Sequence, residues 1–192
     1  MLYKRIAPEE LIINERELAA RVGDPKITLE SFSGLYQELL SVANPAYVAE
    51  RVEILKKNGE VSLGGMTYPS KSLLQFVLNE KYCYLLAATL GAGVDRLIQK
   101  RAHLSCTDAF LLDALADALI ESLCDRAEYE LFGRPAKRFS PGYADLELTA
   151  GNDILRLTGA EKMLGIKLTK TGLMTPKKSV NAIVVQDRKG DV

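Results

Sequence analysis

The sequence predicts an α+β fold in a single domain spanning residues 1–192. Segments with apolar residues at three- and four-residue spacing mix with extended apolar segments in no regular alternation, which is typical of this class. Asn58-Gly59, between two short apolar stretches, predicts a β-hairpin. No internal repeat and no long linker divides the chain. We distinguish a helical and hairpin part at about 1–80 from a core at about 81–186.

Punctuating residues in the first part predict where its helices begin and end. They are the caps Asn14, Thr28 or Ser31, and Ser70, and the stops Gly23 and Asn44-Pro45. Between Phe32 and Val42 the apolar residues recur at helical spacing. From Tyr47 the pattern changes to partial alternation, which predicts strands on both sides of the hairpin turn. We expect Gly64-Gly65 and Pro69 to lie in a loop.

The second part begins with a dense apolar run at 81–91, which predicts a buried strand. A short helix with Val94 facing inward follows it. The longest helix is predicted from about Thr107 to Phe132, capped by Ser105 or Thr107 and stopped by the Gly-Arg-Pro segment at 133–135. The predictions for the remaining segments are a loop at 134–151, a helix from Asp153 to Gly165, a strand at 179–186 and a solvated tail at 187–192.

Composition limits the classes of function that the chain can have. Lysines and arginines together number 25, and so do aspartates and glutamates. The chain therefore has no basic excess that would indicate nucleic-acid binding. No signal peptide and no apolar run of membrane-spanning length is present, so we expect a soluble, cytoplasmic protein. Cys83, Cys106 and Cys124 are isolated and His103 is the single histidine, so we expect neither a metal site nor a cysteine–histidine or serine–histidine catalytic pair.

The long helix carries a ladder of carboxylates at four-residue spacing. Its members are Asp113, Asp117, Glu121 and Asp125. This spacing places them on one face, where like charges destabilise a helix by about 0.2–0.5 kcal/mol per pair. Glu121 has no lysine or arginine three or four residues away. The ladder is therefore either a solvated acidic face or a surface that meets cations from elsewhere, such as Arg138 or a cationic ligand.

The segment Arg-Phe-Ser-Pro-Gly-Tyr at 138–143 follows this helix and combines three kinds of ligand-binding group. Arg138 offers a rigid fork that matches a carboxylate. Pro141-Gly142 makes a turn, and the glycine allows close approach to the backbone. Tyr143 adds a hydroxyl and an aromatic face that attracts cations. Together with a carboxylate such as Glu121, this set suits a zwitterionic amino acid, but an ordinary turn with Arg138 paired to the acidic helix explains it as well.

Four stretches of the sequence resemble the activation (reactivation) domain of cobalamin-dependent methionine synthase, which binds S-adenosylmethionine. They are LAATLGAGVDRLI at 86–98, ALADALIESLCDRAEYELFG at 114–133, RFSPGYADLEL at 138–148 and ILRLTGAEKMLGIKLTKTGLMTPKKSVNAI at 154–183. The resemblance implies helices packed around a central, mainly antiparallel twisted sheet, with residues 81–186 as the ligand-binding core. The family's loop continues with a Pro-Ala-Cys-Pro-type segment where this chain has residues 144–147.

The resemblance also implies the residues of a binding site for S-adenosylmethionine. Carried over at matching positions, they are Glu121, Arg138, Ser140, Pro141, Gly142 and Tyr143. Glu121 and Arg138 would hold the amino-acid group, and the remaining residues would shape the nucleoside side. The family's later aromatic-rich strand and C-terminal extension have no counterpart before Val192, so we expect no contacts from them. No residue is expected to act as a general acid or base.

The function that the resemblance implies is a stand-alone reactivation module. It would support reductive methylation of cob(II)alamin on a separate chain, either a cobalamin-dependent methionine synthase or a related corrinoid protein. An external electron donor, flavodoxin-like or another reductase, would complete the system, and cobalamin would be supplied by the partner. If active, the module is a component of a methyltransferase in methionine biosynthesis. The alternative is a non-catalytic docking protein for a corrinoid methyltransferase that has lost S-adenosylmethionine binding.

Overall fold

A computed structural model of the chain describes residues 1–187, which form an antiparallel sheet with helices on both faces. The strands of the main sheet are β1 Leu2–Arg5, β2 Ala46–Lys57, β3 Glu60–Leu63, β4 Met66–Tyr68, β5 Tyr82–Thr89, β6 Ala136–Phe139 and β9 Ser179–Gln186. The helices are α1 Glu15–Val22, α2 Ser33–Val42, α3 Lys71–Phe76, α4 Ala92–Ala102, α5 Cys106–Phe132, α6 Ala150–Thr158 and α7 Ala160–Leu164. The solvated tail predicted at 187–192 lies outside the described residues except for Asp187.

The sheet has the strand order β4-β3-β2-β5-β9-β6, with β1 beside β2. β2 is long enough to pair with β1 through Ala46–Ala49 and with β3 through Ile54–Lys57 along one edge, while its other edge pairs with β5. Strands β7 (Lys167–Leu168) and β8 (Met174–Thr175) form a separate pair. Both parts of the chain, before and after residue 81, therefore contribute strands to one sheet.

Alternation along the central strands divides the core between the two faces of the sheet. On β5, Leu86 and Ala88 face α5, whereas Cys83 and Leu85 face α3 and α6. On the first face α5 packs between the sheet and helices α1, α2 and α4. Four leucines of α5 are fully buried there, Leu112, Leu115, Leu119 and Leu123. Each contributes about 1.5–3 kcal/mol by burial, so this helix anchors one side of the fold.

The residues predicted to cap or stop helices are confirmed at the boundaries of α1, α3 and α5. The side chains of Asn14, Ser70 and Ser105 accept hydrogen bonds from the first-turn N–H groups of α1, α3 and α5. Gly23 ends α1 and Gly133 ends α5, both in the left-handed conformation. The second helix is reached through a 3-10 turn at Leu29–Phe32, with a capping box between Thr28 and Ser31, so α2 begins only at Ser33. A second 3-10 turn lies at Pro8–Glu10.

Three predictions of local structure are wrong. The loop expected at 134–151 contains the strand β6, whose mixed residues lack an apolar alternation because it lies at the sheet edge and carries Arg138. The helix expected from Asp153 starts at Ala150 and breaks at Gly159, whose left-handed φ of 64° separates α6 from α7. The loop expected to contain Gly64-Gly65 and Pro69 is interrupted by β4, because Gly64-Gly65 forms the turn of a second hairpin. Strand β1 is not among the predicted elements, because residues 2–5 show no alternation of apolar and polar side chains.

Candidate functional site

Arg138 extends from the edge strand β6 toward helix α5. Its partner in the strand register is Val184, which belongs to the core on the α5 side, so the two side chains share that face of the sheet. The guanidinium Nη2 donates to Glu121 Oε2 at 2.8 Å and to Asp125 Oδ1 at 3.3 Å. Nε lies 2.7 Å from Glu128 Oε1. One cation thus holds three carboxylates of a single helix.

The three carboxylates meet Arg138 because they are four and three residues apart, which places them on successive turns of one helix face. Glu128 is the most buried of them, with only 6% of its side chain exposed. Burial raises the pKa of the Glu128 carboxyl, and the nearby Arg138 charge partly opposes this rise. The pKa of Asp125 is raised for the same reasons. The Glu128 carboxyl therefore holds a proton more readily than a solvated one does, whereas Asp125, with 68% of its side chain exposed, remains in contact with water.

The Arg138 guanidinium is not saturated by these contacts. Nε and Nη2 carry all of the ion pairs, and Nη1 makes no hydrogen bond to any residue in the part of the chain that the structure describes. An arginine can donate five N–H bonds, and two of them belong to Nη1. The guanidinium can therefore hold its carboxylate partners and still bind an anionic group.

The other end of the acidic ladder meets a second cation. Lys178, at the junction with β9, lies 2.8 Å from Asp113 and 2.6 Å from Asp117, and only 10% of its side chain is exposed. Arg21 of α1 lies 3.6 Å from Asp117. The ladder is therefore not a solvated acidic face. Along its whole length the ladder meets cations from other elements, which was the second of the two alternatives that the sequence left open.

Arg138 lines two surface cavities. The first, about 590 Å³, lies on the α5 side and is lined by Asp125, Glu128, Tyr129, Pro135, Ala136 and Arg138. The second, about 550 Å³, lies on the α3 side and is lined by Lys71, Ser72, Gln75, Phe76, Arg138, Phe139 and Tyr143. Both volumes fall within the range that holds small molecules in proteins. We call the two cavities together the β6 groove, because β6 carries the residue that they share.

The turn after β6 positions Tyr143 beside the β6 groove. The Tyr143 N–H donates to the Ser140 carbonyl at 3.1 Å, and the Gly142 N–H donates to the Leu146 carbonyl at 2.8 Å. Gly142 has a φ of 86°, which favours glycine, and a Cβ there would lie 3.0 Å from Leu148. The Tyr143 ring is 68% exposed and rests edge-on against Phe139, with centroids 5.5 Å apart. One aromatic face is thus held at the surface by a defined turn.

The segment that departs from the family pattern ties this turn to helix α3. The Asp145 carboxylate accepts hydrogen bonds from the Ser70 hydroxyl at 2.5 Å and from the backbone N–H groups of Lys71 at 2.8 Å and Ser72 at 3.2 Å. These bonds, led by that from Ser70, lower the pKa of Asp145 to about 2. Asp145 therefore caps α3 from outside the helix and fixes the loop that follows Tyr143.

The predicted site residues divide into two groups around Arg138. Glu121 contacts Arg138 on the α5 side, whereas Tyr143 lines the α3-side cavity with Arg138. Ser140, Pro141 and Gly142 form the turn between them. The predicted set therefore surrounds one arginine, but Glu121 and Tyr143 do not line a common cavity.

Residues that the sequence analysis did not assign to the site also line the β6 groove. Asp125 belongs to the predicted ladder, whereas Glu128 and Tyr129 lie outside it. Glu128 is seven residues after Glu121, which is two helical turns along the same face, so its spacing was a usable signal. Lys178 could not be placed against the ladder from the sequence, because it is 61 residues from Asp117.

Within residues 1–187, no group of three or more histidine, cysteine, aspartate or glutamate side chains is arranged to hold a metal ion. No helix in the same range has the length and apolar character needed to cross a membrane.

The comparisons with known proteins bear on the fold. No protein-family model matches the sequence, and no curated protein matches it. The structure is similar to the crystal structure of the MetH reactivation domain bound to AdoHcy, with a TM-score of 0.72 and 18% identity over 98% of this chain and 79% of that one. The predicted α+β fold, with helices on both faces of an antiparallel sheet, is confirmed. The chain thus has the fold of the MetH reactivation domain, as its sequence resemblance predicted.

Proposed function

We propose that the chain binds S-adenosylmethionine in the β6 groove and acts as a reactivation module for a corrinoid protein. The observation that carries the proposal is the Arg138 cluster, in which one partly buried guanidinium with free donors is surrounded by three carboxylates between two cavities. The similarity in fold to a MetH reactivation domain bound to AdoHcy supports it.

The formal charges of the cluster and the ligand are complementary. Glu121, Asp125 and Glu128 carry three negative charges and Arg138 carries one positive charge, which leaves an excess of two negative charges when all are ionised. S-adenosylmethionine carries an ammonium, a sulfonium and a carboxylate, with a net positive charge. Attraction between such charges favours binding and orientation in a partly buried site.

Each end of the amino-acid group has a matching partner. Arg138 Nη1 would donate to the ligand carboxylate, since a guanidinium binds carboxylates through paired N–H groups. Asp125 and Glu128, which line the α5-side cavity, would accept hydrogen bonds from the ammonium. Glu121 would keep Arg138 in place and add to the negative field. These roles modify the prediction from the sequence, in which Glu121 and Arg138 together hold the amino-acid group.

The nucleoside and the sulfonium would lie toward the α3-side cavity. The backbone at Ser140 and Pro141 would face the adenine, with Gly142 allowing close approach. The exposed face of Tyr143 can attract a sulfonium in the way that aromatic faces attract other cations. In this arrangement the chain binds and orients the methyl donor, and no side chain acts as a general acid or base.

The partner would supply the cofactor on which the methyl group is placed. We propose a separate cobalamin-dependent methionine synthase or related corrinoid protein as this partner, with a flavodoxin-like or other reductase as electron donor. With one electron from the donor, the partner's cobalamin would supply the reduced cobalt that accepts the methyl group, and S-adenosylmethionine held by this chain would become S-adenosylhomocysteine. The chain's contribution is proximity and orientation, which can supply about 7–11 kcal/mol of the barrier in well-oriented systems.

Isothermal titration calorimetry with S-adenosylmethionine tests the binding step. We expect saturable binding that weakens by about 1.5–3 kcal/mol in Arg138→Ala, the scale of a hydrogen bond to a charged group. Arg126→Ala is the matched control, because Arg126 is an exposed arginine of α5 that pairs with Glu130. Circular dichroism must first establish that each variant is folded at the titration temperature. Absence of heat at millimolar ligand contradicts the proposal, as does unchanged affinity in Arg138→Ala.

The charge argument has its own test. S-adenosylhomocysteine lacks the sulfonium charge but is otherwise nearly the same size, so we expect it to bind more weakly at low salt, with the difference shrinking as salt rises. Equal affinities at low salt would show that the excess negative charge of the cluster is not used.

A second function is favoured by one observation. Arg138 already has three carboxylate partners, so the cluster is stable without any ligand. The chain would then be a non-catalytic docking protein for a corrinoid methyltransferase. Binding of a purified corrinoid protein in the absence of S-adenosylmethionine, together with no heat from that ligand, is the result expected for this alternative.

A further inference from the structure

A third cavity lies where helix α5 ends above the sheet. Its volume is about 520 Å³, and it is lined by Arg51, Asn79, Glu80, Lys81, Tyr82, Tyr84, Leu131, Phe132 and Gln186. None of these residues lines the β6 groove. The volume is within the range of small-molecule sites, so the cavity is a separate place where a ligand can bind.

Aromatic rings form one wall of this cavity. Tyr84 pairs with Arg51 across β5 and β2, and packs against the core on the α5 side. Its ring meets Phe132, the last residue of α5, edge-to-face with centroids 5.4 Å apart. Because α5 ends here, these rings are not fully covered by the helix, and Tyr82 is 46% exposed. Such a wall suits a flat, apolar ring.

Two cations, Arg51 and Lys81, line the same cavity. The Arg51 guanidinium carbon lies 4.1 Å from the centroid of the Tyr82 ring. Stacking holds the guanidinium in place through its face and leaves the N–H groups in its plane for an anion. Within residues 1–187, neither Arg51 nor Lys81 lies within ion-pair distance of a carboxylate. Glu80 also lines the cavity and is engaged in an interaction of its own.

We propose that this cavity binds an organic anion that carries a planar aromatic ring. Arg51 and Lys81 would hold the anionic group, and the ring would lie against Tyr84 and Phe132. Mononucleotides and aromatic carboxylates share this chemistry. Binding changes no covalent bond and does not depend on the β6 groove, so the site can be occupied whether or not the chain binds S-adenosylmethionine.

Nuclear magnetic resonance titration of the full, ¹⁵N-labelled chain tests the proposal. Adenosine 5′-monophosphate and 4-hydroxybenzoate are the two probes, added separately. At least one of them should shift the amides of Tyr82 and Tyr84 saturably. Arg51→Gln should weaken that binding roughly tenfold, equivalent to about 1.4 kcal/mol. Arg96→Gln is the matched control, since Arg96 is an exposed arginine of α4 away from all three cavities, and its affinity should be unchanged.

The outcomes distinguish phosphate from carboxylate ligands, and recognition of the anionic group from recognition of the ring. A preference for adenosine 5′-monophosphate assigns the site to phosphates, and a preference for 4-hydroxybenzoate assigns it to carboxylates. Equal binding of uncharged adenosine, or equal binding of inorganic phosphate, overturns the proposal because one half of the ligand is then not recognised. Shifts confined to residues 138–143, or no shift at about 10 mM of either probe, overturn it as well.

Discussion

Replacing Arg138 with methionine removes the cation that Glu121, Asp125 and Glu128 share, while keeping an unbranched side chain at the sheet edge. The three carboxylates then face one another along one helix. Glu121 and Asp125 have 32% and 68% of their side chains exposed, so water can solvate them. Glu128, with 6% exposed, cannot be solvated in the same way. The cost of the substitution therefore arises mainly at Glu128.

The expected magnitude follows from this burial. Removing one partner of a buried ion pair costs about 3–5 kcal/mol because a buried charge is left uncompensated. Exposed pairs contribute only about 0–1 kcal/mol. We therefore expect Arg138→Met to lower the free energy of unfolding by about 3–5 kcal/mol near pH 8. For a chain of this size, each kcal/mol corresponds to about 2–4 °C in Tm.

The loss of stability should depend on pH in a defined direction. The Glu128 pKa is already raised by burial in the folded protein, and Arg138 opposes that rise. Without Arg138 the folded pKa rises further above its unfolded value. A carboxyl with a raised folded pKa destabilises the fold as pH rises through that pKa, and the penalty disappears when the group is protonated. The deficit of Arg138→Met should therefore be largest near pH 8 and shrink toward pH 5.

Urea unfolding followed by far-UV circular dichroism, repeated between about pH 5 and pH 8, measures this deficit. The double variant Arg138→Met/Glu128→Gln should recover most of the stability at high pH, because the amide needs no counter-ion. Arg156→Met is the control for loss of an exposed arginine, since Arg156 is 60% exposed and pairs with Asp153 at 3.5 Å. A deficit that is the same at both ends of the pH range would refute the electrostatic reasoning.

Three further substitutions test other contacts of the fold. Asp145→Ala should lower Tm at neutral pH because it removes the acceptor of the Lys71 and Ser72 N–H groups at the start of α3, and the difference from wild type should vanish as pH falls through the lowered Asp145 pKa of about 2. Tyr47→Phe should cost about 1.5–3 kcal/mol in urea unfolding, since the buried hydroxyl donates to the Glu130 carboxylate at 2.6 Å. Gly142→Ala should cost about 1–2 kcal/mol, because it combines a left-handed φ with a close approach to Leu148.

Each of these substitutions has a comparison that isolates its cause. Gly23 has a similar φ of 82°, but a Cβ there would have no atom within 4 Å. The difference in lost stability between Gly142→Ala and Gly23→Ala therefore measures the cost of the close approach to Leu148. Tyr129→Phe removes the hydroxyl of a 62% exposed tyrosine and should leave stability unchanged. An Asp145→Ala variant that is as stable as wild type at neutral pH would contradict the capping role.

The parts of the fold that depend on short-range interactions were predictable from the sequence. Ser105 caps the long helix through the N–H of Asp108 three residues later, and Gly133 ends it, so both boundaries are encoded locally. The Asn58-Gly59 turn joins β2 to β3 for the same reason. The dense apolar run at 81–91 also placed β5, because a central strand is covered on both faces.

The parts that depend on distant partners were not predictable in this way. β6 is a strand because it pairs with β9. Arg138 occupies a position on its inner face where an apolar residue would be expected, and ion pairs with α5 make this possible. The partner of Asp113 and Asp117 is Lys178, more than 60 residues later. Charge spacing on the helix left a solvated face and a cation-binding face as alternatives, and only the packing of strands against α5 decides between them and identifies the cations.

The short edge strand β6 has a further consequence for how the molecule behaves in solution. Within the described residues, β6 pairs with β9 alone, so its other edge has no strand partner. The strand is only four residues long, with Pro135 before it and Pro141 two residues after it. Because proline cannot donate a backbone hydrogen bond, another chain finds few consecutive groups with which to pair. The edge beside the β6 groove is thus a poor template for self-association, and it can remain open to a small molecule without promoting aggregation.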